Sequence, residues 1–399
     1  MIRITRRKIL IQIRYRYERF SFMMAKILFR VFPLKDKIVF SNFNGQGYGD
    51  NPKYIADEIL RQKLPYDLVW ITDNVKSSLP SEIREVNIHS IHCVYDLSTA
   101  KVIVCNVKNG LPYIKRKGQY YIQTWHGGFP MKYIEKECES YLDPDYVAKS
   151  KKDSKLTDLI LSSCSSDTQI FKKSFWYDGE ILEKGIPRND LLFKDNTELV
   201  KELKCSLHID SDSKIALYAP TFRDNGDVDV YSLNTEELVK SLNGRNEGKW
   251  VVVVRLHPNV GRTNKFSFSK NVVNGCNISD PQHLVVASDL LITDYSSIMY
   301  DFSIMKKPVF LFAPDFNDYK NGRGLRPLFF KLPFSLCLNN QELNKVICRV
   351  NMKVYVSQSE RFFKQVVKTW DNGHASENVV SRIKSVIDNT NIKRKSSLF

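Results

Sequence analysis

Short apolar runs alternate with helical stretches along the whole chain. The runs are rich in Val, Ile, Leu and aromatic residues and lack polar alternation, which is typical of strands covered on both faces. Strands of this kind form parallel sheets with crossover helices, so the pattern predicts an α/β fold. The predicted strands are residues 38–40, 68–71, 102–105, 120–123, 159–161, 215–218, 251–254, 290–292 and 309–312.

The strands fall into two series, and 399 residues are too many for one ordinary core. We therefore predict two doubly wound, Rossmann-like domains, divided in the polar stretch that follows Leu192. The predicted organisation along the chain is a basic N-terminal segment, two domains and a short basic tail, at residues 1–35, 36–195, 196–390 and 391–399.

The net charge of +16, from 60 basic and 44 acidic residues, is concentrated at the N-terminus. Residues 1–35 hold ten Lys or Arg and a single acid, Glu18. Apolar residues such as Ile13, Tyr17, Phe20 and Met24 recur among them at helical spacing, which predicts a basic amphipathic helix on an anionic membrane surface. The alternatives are a helix packed on its own domain, a strand, and a polyanion-binding arm, although no nucleic-acid motif accompanies it.

No apolar run approaches the ~20 residues that span a bilayer, and basic residues interrupt any signal-peptide core. This predicts a protein on the cytoplasmic face of the membrane. The eight cysteines form no C-x-x-C pair and are predicted to be reduced, buried thiols. His89, His92 and Cys93 lack a second Cys/His cluster that would complete a metal site.

Ligands of doubly wound sheets bind beyond the carboxyl ends of the strands, so polar motifs at strand ends are the candidates for chemistry. The first is Gln123-Thr-Trp-His-Gly-Gly128. Gly127 and Gly128 allow a ligand close to the backbone, and His126, beside Trp125, is a candidate general base or phosphate donor. A lone histidine is also often purely structural.

Two further strand ends carry arginines. Gly185-Ile-Pro-Arg-Asn-Asp190 offers Arg188 as a two-pronged phosphate donor, next to Asn189 and Asp190. The alternative is a turn in which Arg188 pairs with Asp190. Tyr218-Ala-Pro-Thr-Phe-Arg223 supplies a hydroxyl and a second arginine, and its candidate residues are Pro220, Thr221 and Arg223.

The remaining two strand ends are in the second series. Four valines lead to Arg255 and His257, whose burial is costly unless they meet an anion or an acid. Leu290-Leu-Ile-Thr-Asp-Tyr-Ser-Ser runs from a strand into a helix start, where free N–H groups and hydroxyls can hold phosphate. Plain capping is the alternative reading of these residues. The candidates are Asp294, Ser296, Ser297, Asp301 one turn later, and Arg323 on a later loop.

Together these motifs resemble the CDP-glycerol glycerophosphotransferases of teichoic acid synthesis. The resemblance rests on Trp125-His-Gly, Gly185-x-Pro-Arg-Asn-Asp190, Tyr218-Ala-Pro-Thr-Phe-Arg223, Arg255-x-His-Pro258, Thr293-Asp-Tyr-Ser-Ser297, Asp301 and Arg323-Gly324, and on residues 42–54. It implies a GT-B fold, two Rossmann-like domains facing a central cleft, and action at the membrane on a lipid-linked or polymeric acceptor.

The resemblance also implies roles. His126 would be the base on the acceptor side and His257 would face the donor phosphates. Ser296 and Ser297 would hold the pyrophosphate near Arg188, Thr221 and Arg255, with Asp301 along the donor pocket. The implied reaction moves glycerol phosphate from CDP-glycerol to an acceptor hydroxyl and releases CMP, and it leaves a divalent cation as an open possibility. CDP-ribitol or a nucleotide sugar would be alternative donors, and a non-enzymatic binding protein is the alternative outside enzymes.

Overall fold

The structure is a computed structural model, and it describes residues 20–73, 79–108, 110–223, 226–245, 248–256, 260, 266, 268–321 and 324–396. Two parallel sheets carry the fold, with strand orders β3-β2-β1-β4-β5-β6-β7 and β10-β9-β8-β11-β12-β13. The predicted α/β class with parallel sheets is confirmed.

Every predicted strand lies within an observed one. The strands of the first sheet are β1 (Lys35–Ser41), β2 (Asp67–Thr72), β3 (Ile83–Asn87), β4 (Ala100–Cys105), β5 (Tyr120–Gln123), β6 (Leu159–Ser162) and β7 (Glu180–Glu183). Those of the second are β8 (Lys214–Tyr218), β9 (Trp250–Val254), β10 (Val272–Asn274), β11 (Leu290–Thr293), β12 (Val309–Phe312) and β13 (Ser335–Cys337).

Helices connect the strands. The α-helices are α1 (Asp50–Arg61), α2 (Ile91–Thr99), α3 (Pro144–Leu156), α4 (Ser165–Ser174), α5 (Thr197–Ser206), α6 (Thr235–Asn243), α7 (Pro281–Ala287), α8 (Ile298–Ile304), α9 (Phe316–Asn321), α10 (Asn340–Arg349), α11 (Met352–Phe362) and α12 (Ala375–Ser396). Short 3-10 helices lie at Phe29–Val31, Glu135–Tyr141, Pro187–Phe193 and Pro327–Lys331, and a π-helical turn at Phe363–Val367.

The chain divides into two compact units. Unit 1 comprises residues 1–126, 148–161 and 376–399, and unit 2 comprises residues 127–147 and 162–375. This division differs from the predicted boundary near residue 195, which was drawn along the chain and stays a prediction. Residues 376–399 belong to unit 1 although they follow unit 2 in the sequence.

The second sheet is covered on both faces, as its apolar strands require. Along β8, Ile215 and Leu217 contribute to one apolar cluster, whereas Ala216 and Tyr218 contribute to another on the opposite face. In unit 1, Val39, Ile103 and Tyr121 of neighbouring strands belong to a separate core cluster. Most of the strands that lead to candidate residues are therefore buried, as in β9 and β11, whereas β7 is partly exposed.

The prediction of buried cysteines was wrong for three of the eight. Cys205, Cys276 and Cys348 are exposed, and all eight cysteines are free thiols. The exposed ones lie in or beside polar surface segments rather than in apolar strands, so their positions never required burial.

The predicted membrane segment is only partly described. Residues 1–19 lie outside the described residues, and residues 20–28 are helical. Several large apolar side chains of this stretch are exposed, namely Phe20, Met23, Ile27, Leu28 and Val31. Within the described residues, no helix has both the length and the apolar character needed to cross a bilayer.

Candidate functional site

His126 follows β5, and the backbone holds its ring in one orientation. Its Nδ1 lies 2.9 Å from the carbonyl oxygen of Asn106. A carbonyl can only accept, so Nδ1 carries the hydrogen and Nε2 is the basic nitrogen of the neutral ring. The ring also packs against Trp125 and Phe43, with centroid distances of 4.2 and 5.4 Å. The half-buried His126 therefore has the tautomer that a general base requires.

Asn106 organises the polar residues around this histidine. The side chain is fully buried, and its Nδ2 donates to Asn42 Oδ1 and Asp50 Oδ2, both at 2.8 Å. Its Oδ1 accepts from the backbone N–H of Phe43 at 2.8 Å. The side-chain amide of Asn106 thus links the ends of β1 and β4 to the start of α1. The backbone carbonyl of the same residue orients His126.

The backbone around His126 is strained. Phe43, Asn44, Asp50 and Trp125 all have left-handed φ values, between 42° and 56°. For residues other than glycine such conformations cost on the order of 1 kcal/mol or more each, and they concentrate at functional sites. The strand-end pattern singled out Trp125 and His126 here, and the resemblance also rested on residues 42–54. Applying the strand-end rule to β4 would have added Asn106.

In unit 2, the two glycines that follow His126 allow a close backbone approach. A Cβ at Gly127 would lie 2.5 Å from Ser297 Oγ. A Cβ at Gly128 would lie 2.5 Å from Ser163 Oγ and 3.2 Å from Tyr300 Cδ1. Glycine is required at both positions because any side chain would push these neighbours away. The Gly-Gly turn and Ser297 are thus adjacent.

Ser296 and Ser297 stand at the start of α8, as predicted, with their side chains half-buried. Ser297 occupies the N-cap position, but its side chain makes no capping hydrogen bond. The Ser296 hydroxyl accepts from the Ile298 N–H at 3.4 Å, a long contact. Capping therefore accounts poorly for the two hydroxyls, which favours the phosphate interpretation over the alternative.

Arg223 is a buried cation between two carboxylates. Its Nη1 lies 2.9 Å from Asp294 Oδ2 and its Nε lies 2.7 Å from Asp315 Oδ2. Its guanidinium carbon is 5.1 Å from the ring centroids of Tyr295 and Tyr319. Burial disfavours the cation, but Asp315 and Asp294 outweigh it, so the pKa of Arg223 is raised.

Asp294 also organises the neighbouring strand end. Its carboxylate accepts from the Thr221 N–H at 2.9 Å and from the Thr221 hydroxyl. Three residues predicted to bind substrate, Thr221, Arg223 and Asp294, therefore form one internal network that joins the ends of β8 and β11. Pro220, buried beside Thr221, belongs to the same turn.

Arg255 donates to backbone carbonyls. Its Nη1 bonds the carbonyl oxygens of Gly275 and Ile278, at 2.9 and 2.6 Å. The expectation that it also meets a ligand anion stays a prediction. Burial lowers the pKa of Arg255. His257, three positions after β9, and Arg323 lie outside the described residues.

Arg188 pairs with Asp301. Its Nη2 lies 2.7 Å from Asp301 Oδ2, and both side chains are almost fully buried. Asp190 accepts from the Ala375 N–H at 2.8 Å. Gln282 Nε2 lies 3.2 Å from Asn189 Oδ1 and 3.4 Å from Asp301 Oδ2, and so joins the motif to α8.

The structure thus brings most predicted residues into two groups. Trp125 and His126 lie in unit 1. The unit 2 group consists of Gly127, Gly128, Arg188, Asn189, Asp190, Pro220, Thr221, Arg223, Arg255, Asp294, Ser296, Ser297 and Asp301. Among the residues that the structure describes, no three His, Cys, Asp or Glu side chains are grouped to hold a metal ion. These residues provide an oriented imidazole, hydroxyls, guanidinium groups and a closely packed glycine backbone.

Comparison with known proteins matches these features. The family model described as CDP-Glycerol:Poly(glycerophosphate) glycerophosphotransferase covers residues 23–385. The chain is 31% identical to the teichoic acid poly(glycerol phosphate) polymerase of Staphylococcus epidermidis, over 85% of this chain and 49% of that protein. It is 29% identical to the enzyme of the same name from Bacillus spizizenii, over 92% and 98%. The chain therefore spans about half the length of the first relative and nearly all of the second.

The fold agrees as well. A variant of the wall teichoic acid polymerase TagF soaked with CDPG superposes with a TM-score of 0.83 at 28% identity, over 95% of this chain and 96% of that one. The resemblance predicted from the strand-end motifs is confirmed, and with it the predicted enzyme class.

Proposed function

This chain belongs to the CDP-glycerol:poly(glycerophosphate) glycerophosphotransferase family, and on that premise we propose that it transfers glycerol phosphate from CDP-glycerol to an acceptor hydroxyl. The acceptor is a lipid-linked or polymeric chain of teichoic acid type, and CMP is released. Relatives named for poly(glycerol phosphate) synthesis, at 29% to 31% identity, support the glycerol donor.

In the proposed reaction the acceptor oxygen attacks the β-phosphorus of the donor. A new P–O bond forms to the acceptor, the bond to the bridging oxygen breaks, and CMP carries that oxygen away. The acceptor proton passes to Nε2 of His126. The observation that carries this assignment is the contact between His126 Nδ1 and the Asn106 carbonyl, because it leaves Nε2 as the base.

The donor diphosphate is assigned to the residues of unit 2. Ser296 and Ser297 present hydroxyls that capping barely uses, and the backbone of Gly127 lies close to Ser297. Charge stabilisation and positioning supply most of the rate in phosphoryl transfer, so such donors suit the chemistry. Arg223 and Asp294 are assigned a supporting role, since they hold the ends of β8 and β11. A GT-B arrangement, with two Rossmann-like domains facing a cleft and His257 and Arg323 on the donor side, is part of this proposal.

The test is to incubate the purified full chain with CDP-glycerol or CDP-ribitol and a lipid-linked acceptor, and to measure the masses of the products by mass spectrometry. We expect mass increments of glycerol phosphate and release of CMP only with CDP-glycerol. The number of increments distinguishes one addition from many. Transfer of ribitol phosphate alone, or no transfer from either donor, would contradict the proposal.

The proposal places the protein peripherally on the cytoplasmic face of the membrane. Ten basic residues in segment 1–35 supply the attraction, and the exposed Phe20, Ile27 and Val31 supply apolar contact. We expect the full chain to float with vesicles that contain anionic lipid, and a variant lacking residues 1–35 to stay in the dense fraction. Equal flotation of the two proteins would show that the segment is not the anchor. Neutral vesicles are the control.

A further inference from the structure

Asp371 is a buried carboxylate outside the predicted site motifs. It lies in the segment that leads to α12. Its Oδ1 accepts from the backbone N–H of Ile186 at 2.9 Å, and its Oδ2 accepts from the Tyr300 hydroxyl at 2.7 Å. It therefore connects two segments that carry predicted donor-binding residues.

The first connected segment is the Gly185–Asp190 motif. Gly185 has φ +86°, and a Cβ there would lie 2.8 Å from Asp371 Oδ1, so glycine is needed for the approach. At the other end of the motif, Asp190 Oδ1 accepts from the Ala375 N–H at 2.8 Å. Arg188 lies between these two attachments, which fix the backbone that presents its guanidinium group.

The second connected segment is α8, which follows Ser297. The Tyr300 hydroxyl lies 2.7 Å from Asp371, 2.8 Å from Thr369 Oγ1 and 3.1 Å from the Ser163 carbonyl oxygen. The Tyr300 ring is also the neighbour that a Cβ at Gly128 would meet. A shift of Asp371 would therefore reach Arg188 by one route and the Ser297 helix by another.

We propose that Asp371 is a positioning residue for donor binding: its carboxylate holds the backbone that carries Arg188 and the helix that follows Ser297, and this hold weakens when the carboxylate takes up a proton. The ligand assignment rests on the proposed function. The restraint that Asp371 places on these two segments depends only on contacts within unit 2.

Protonation changes how many hydrogen bonds the Asp371 carboxyl group can accept. An ionised carboxylate accepts from Ile186 and Tyr300 at once, whereas the protonated acid has a hydroxyl that competes as a donor. Burial raises the pKa of Asp371 to about 7, while the Ile186 and Tyr300 hydrogen bonds oppose the rise and the charge of Asp301 adds to it. Cys164, Asp167 and Asn189 are the other titratable or polar groups that face this cluster.

The direction of the pH effect follows. The ionised form increases as the pH rises through about 7, so donor affinity should be higher at about pH 8 than at about pH 6. Asp371→Asn has the shape of the protonated acid and cannot ionise. We expect it to bind CDP-glycerol about tenfold more weakly than the wild type at about pH 8, with little change down to about pH 6.

Tyr300→Phe provides the sharper test. It removes a hydrogen bond that favours the ionised carboxylate, so the pKa of Asp371 rises and the midpoint of the affinity change moves to higher pH. The change leaves His126 and His257 in place, so a histidine titration would not move with it. Asp178→Asn, an exposed aspartate of unit 2, is the matched control and should behave like the wild type.

The measurement is equilibrium binding of CDP-glycerol, without acceptor, to the full chain across this pH range. An Asp371→Asn variant with wild-type affinity and pH profile, or an unmoved midpoint in Tyr300→Phe, would overturn the proposal. If Asp371→Asn does not fold, the Tyr300→Phe midpoint decides. If the wild type binds no CDP-glycerol, the proposed function fails on its own, and hydrogen exchange of residues 185–190 then tests whether Asp371 restrains that segment. At one fixed pH, protection there must be lower in Asp371→Asn than in the wild type and in Asp178→Asn, and equal protection would overturn the proposal.

Discussion

Replacing His126 with alanine is expected to lower the rate of CMP release by about 10²- to 10⁴-fold while leaving the affinity for CDP-glycerol within about twofold of the wild type. The reason is that the proposed function assigns different roles to the two groups of residues. The imidazole, oriented by the Asn106 backbone carbonyl, is proposed to take up the acceptor proton, whereas the donor diphosphate is assigned to hydroxyls and guanidinium groups of unit 2. Loss of the base therefore affects turnover and spares donor binding.

The measurement pairs a CMP-release assay with direct binding of CDP-glycerol to the same preparation. His92→Ala, an exposed histidine of unit 1, is the matched control and should keep full activity. Asn106→Asp is a second variant for the same two assays. It keeps the backbone carbonyl that orients His126 but places a carboxylate beside Asp50. Turnover near that of the wild type in His126→Ala would rule out His126 as the base.

Replacing Arg223 with methionine is expected to destabilise unit 2 by about 3–5 kcal/mol. Methionine preserves most of the apolar volume but leaves Asp294 and Asp315 buried without their shared cation. Removing one partner of a buried ion network costs more than the network contributed, because the remaining charges keep their desolvation penalty. Donor binding should fall as well, since Asp294 also holds the backbone of Thr221.

Urea unfolding of the full chain measures the effect, with Arg349→Met, an exposed arginine at the end of α10, as the matched control. Arg223→Lys should lose less unfolding free energy than Arg223→Met, because the ammonium group keeps the positive charge. It should still be less stable than the wild type, because one ammonium cannot donate to two carboxylates in fixed directions. Adding Asp315→Asn to Arg223→Met should restore part of the stability, since one uncompensated charge is removed. Equal stability of Arg223→Met and Arg349→Met would contradict the role assigned to the network.

The interior strands were predictable because burial on both faces demands uninterrupted apolar residues. The strands missing from the predicted list, β3, β7, β10 and β13, all lie at sheet edges, where one side of the ladder has no partner strand. Ile83–Asn87 accordingly mixes buried and exposed residues without regular alternation. A sequence of mixed polarity does not distinguish such a strand from a loop.

The candidate residues were predictable where chemistry and position coincide in one segment, as in Trp125-His126 or Ser296-Ser297. Asn106 was not, because its importance depends on β4 lying between β1 and β5, an order that strand patterns do not reveal. The same applies to Asp371, which meets Ile186 across a sequence separation that no local motif spans. For Arg223, the pattern identified the residue but not its partners, which come from two other strand ends.

Helix α12 has a consequence for biosynthesis. Its residues Val379, Ile383 and Ile387 are buried, and it joins unit 1 through contacts such as Arg382 with Tyr120. The ribosome makes these residues long after the strands that they cover. Unit 1 therefore cannot complete its folding until all of unit 2 has been synthesised, and part of its apolar surface stays exposed until then. Domains ordinarily fold in the order of translation. During that interval the nascent unit 1 is the part of the molecule that most needs protection by chaperones.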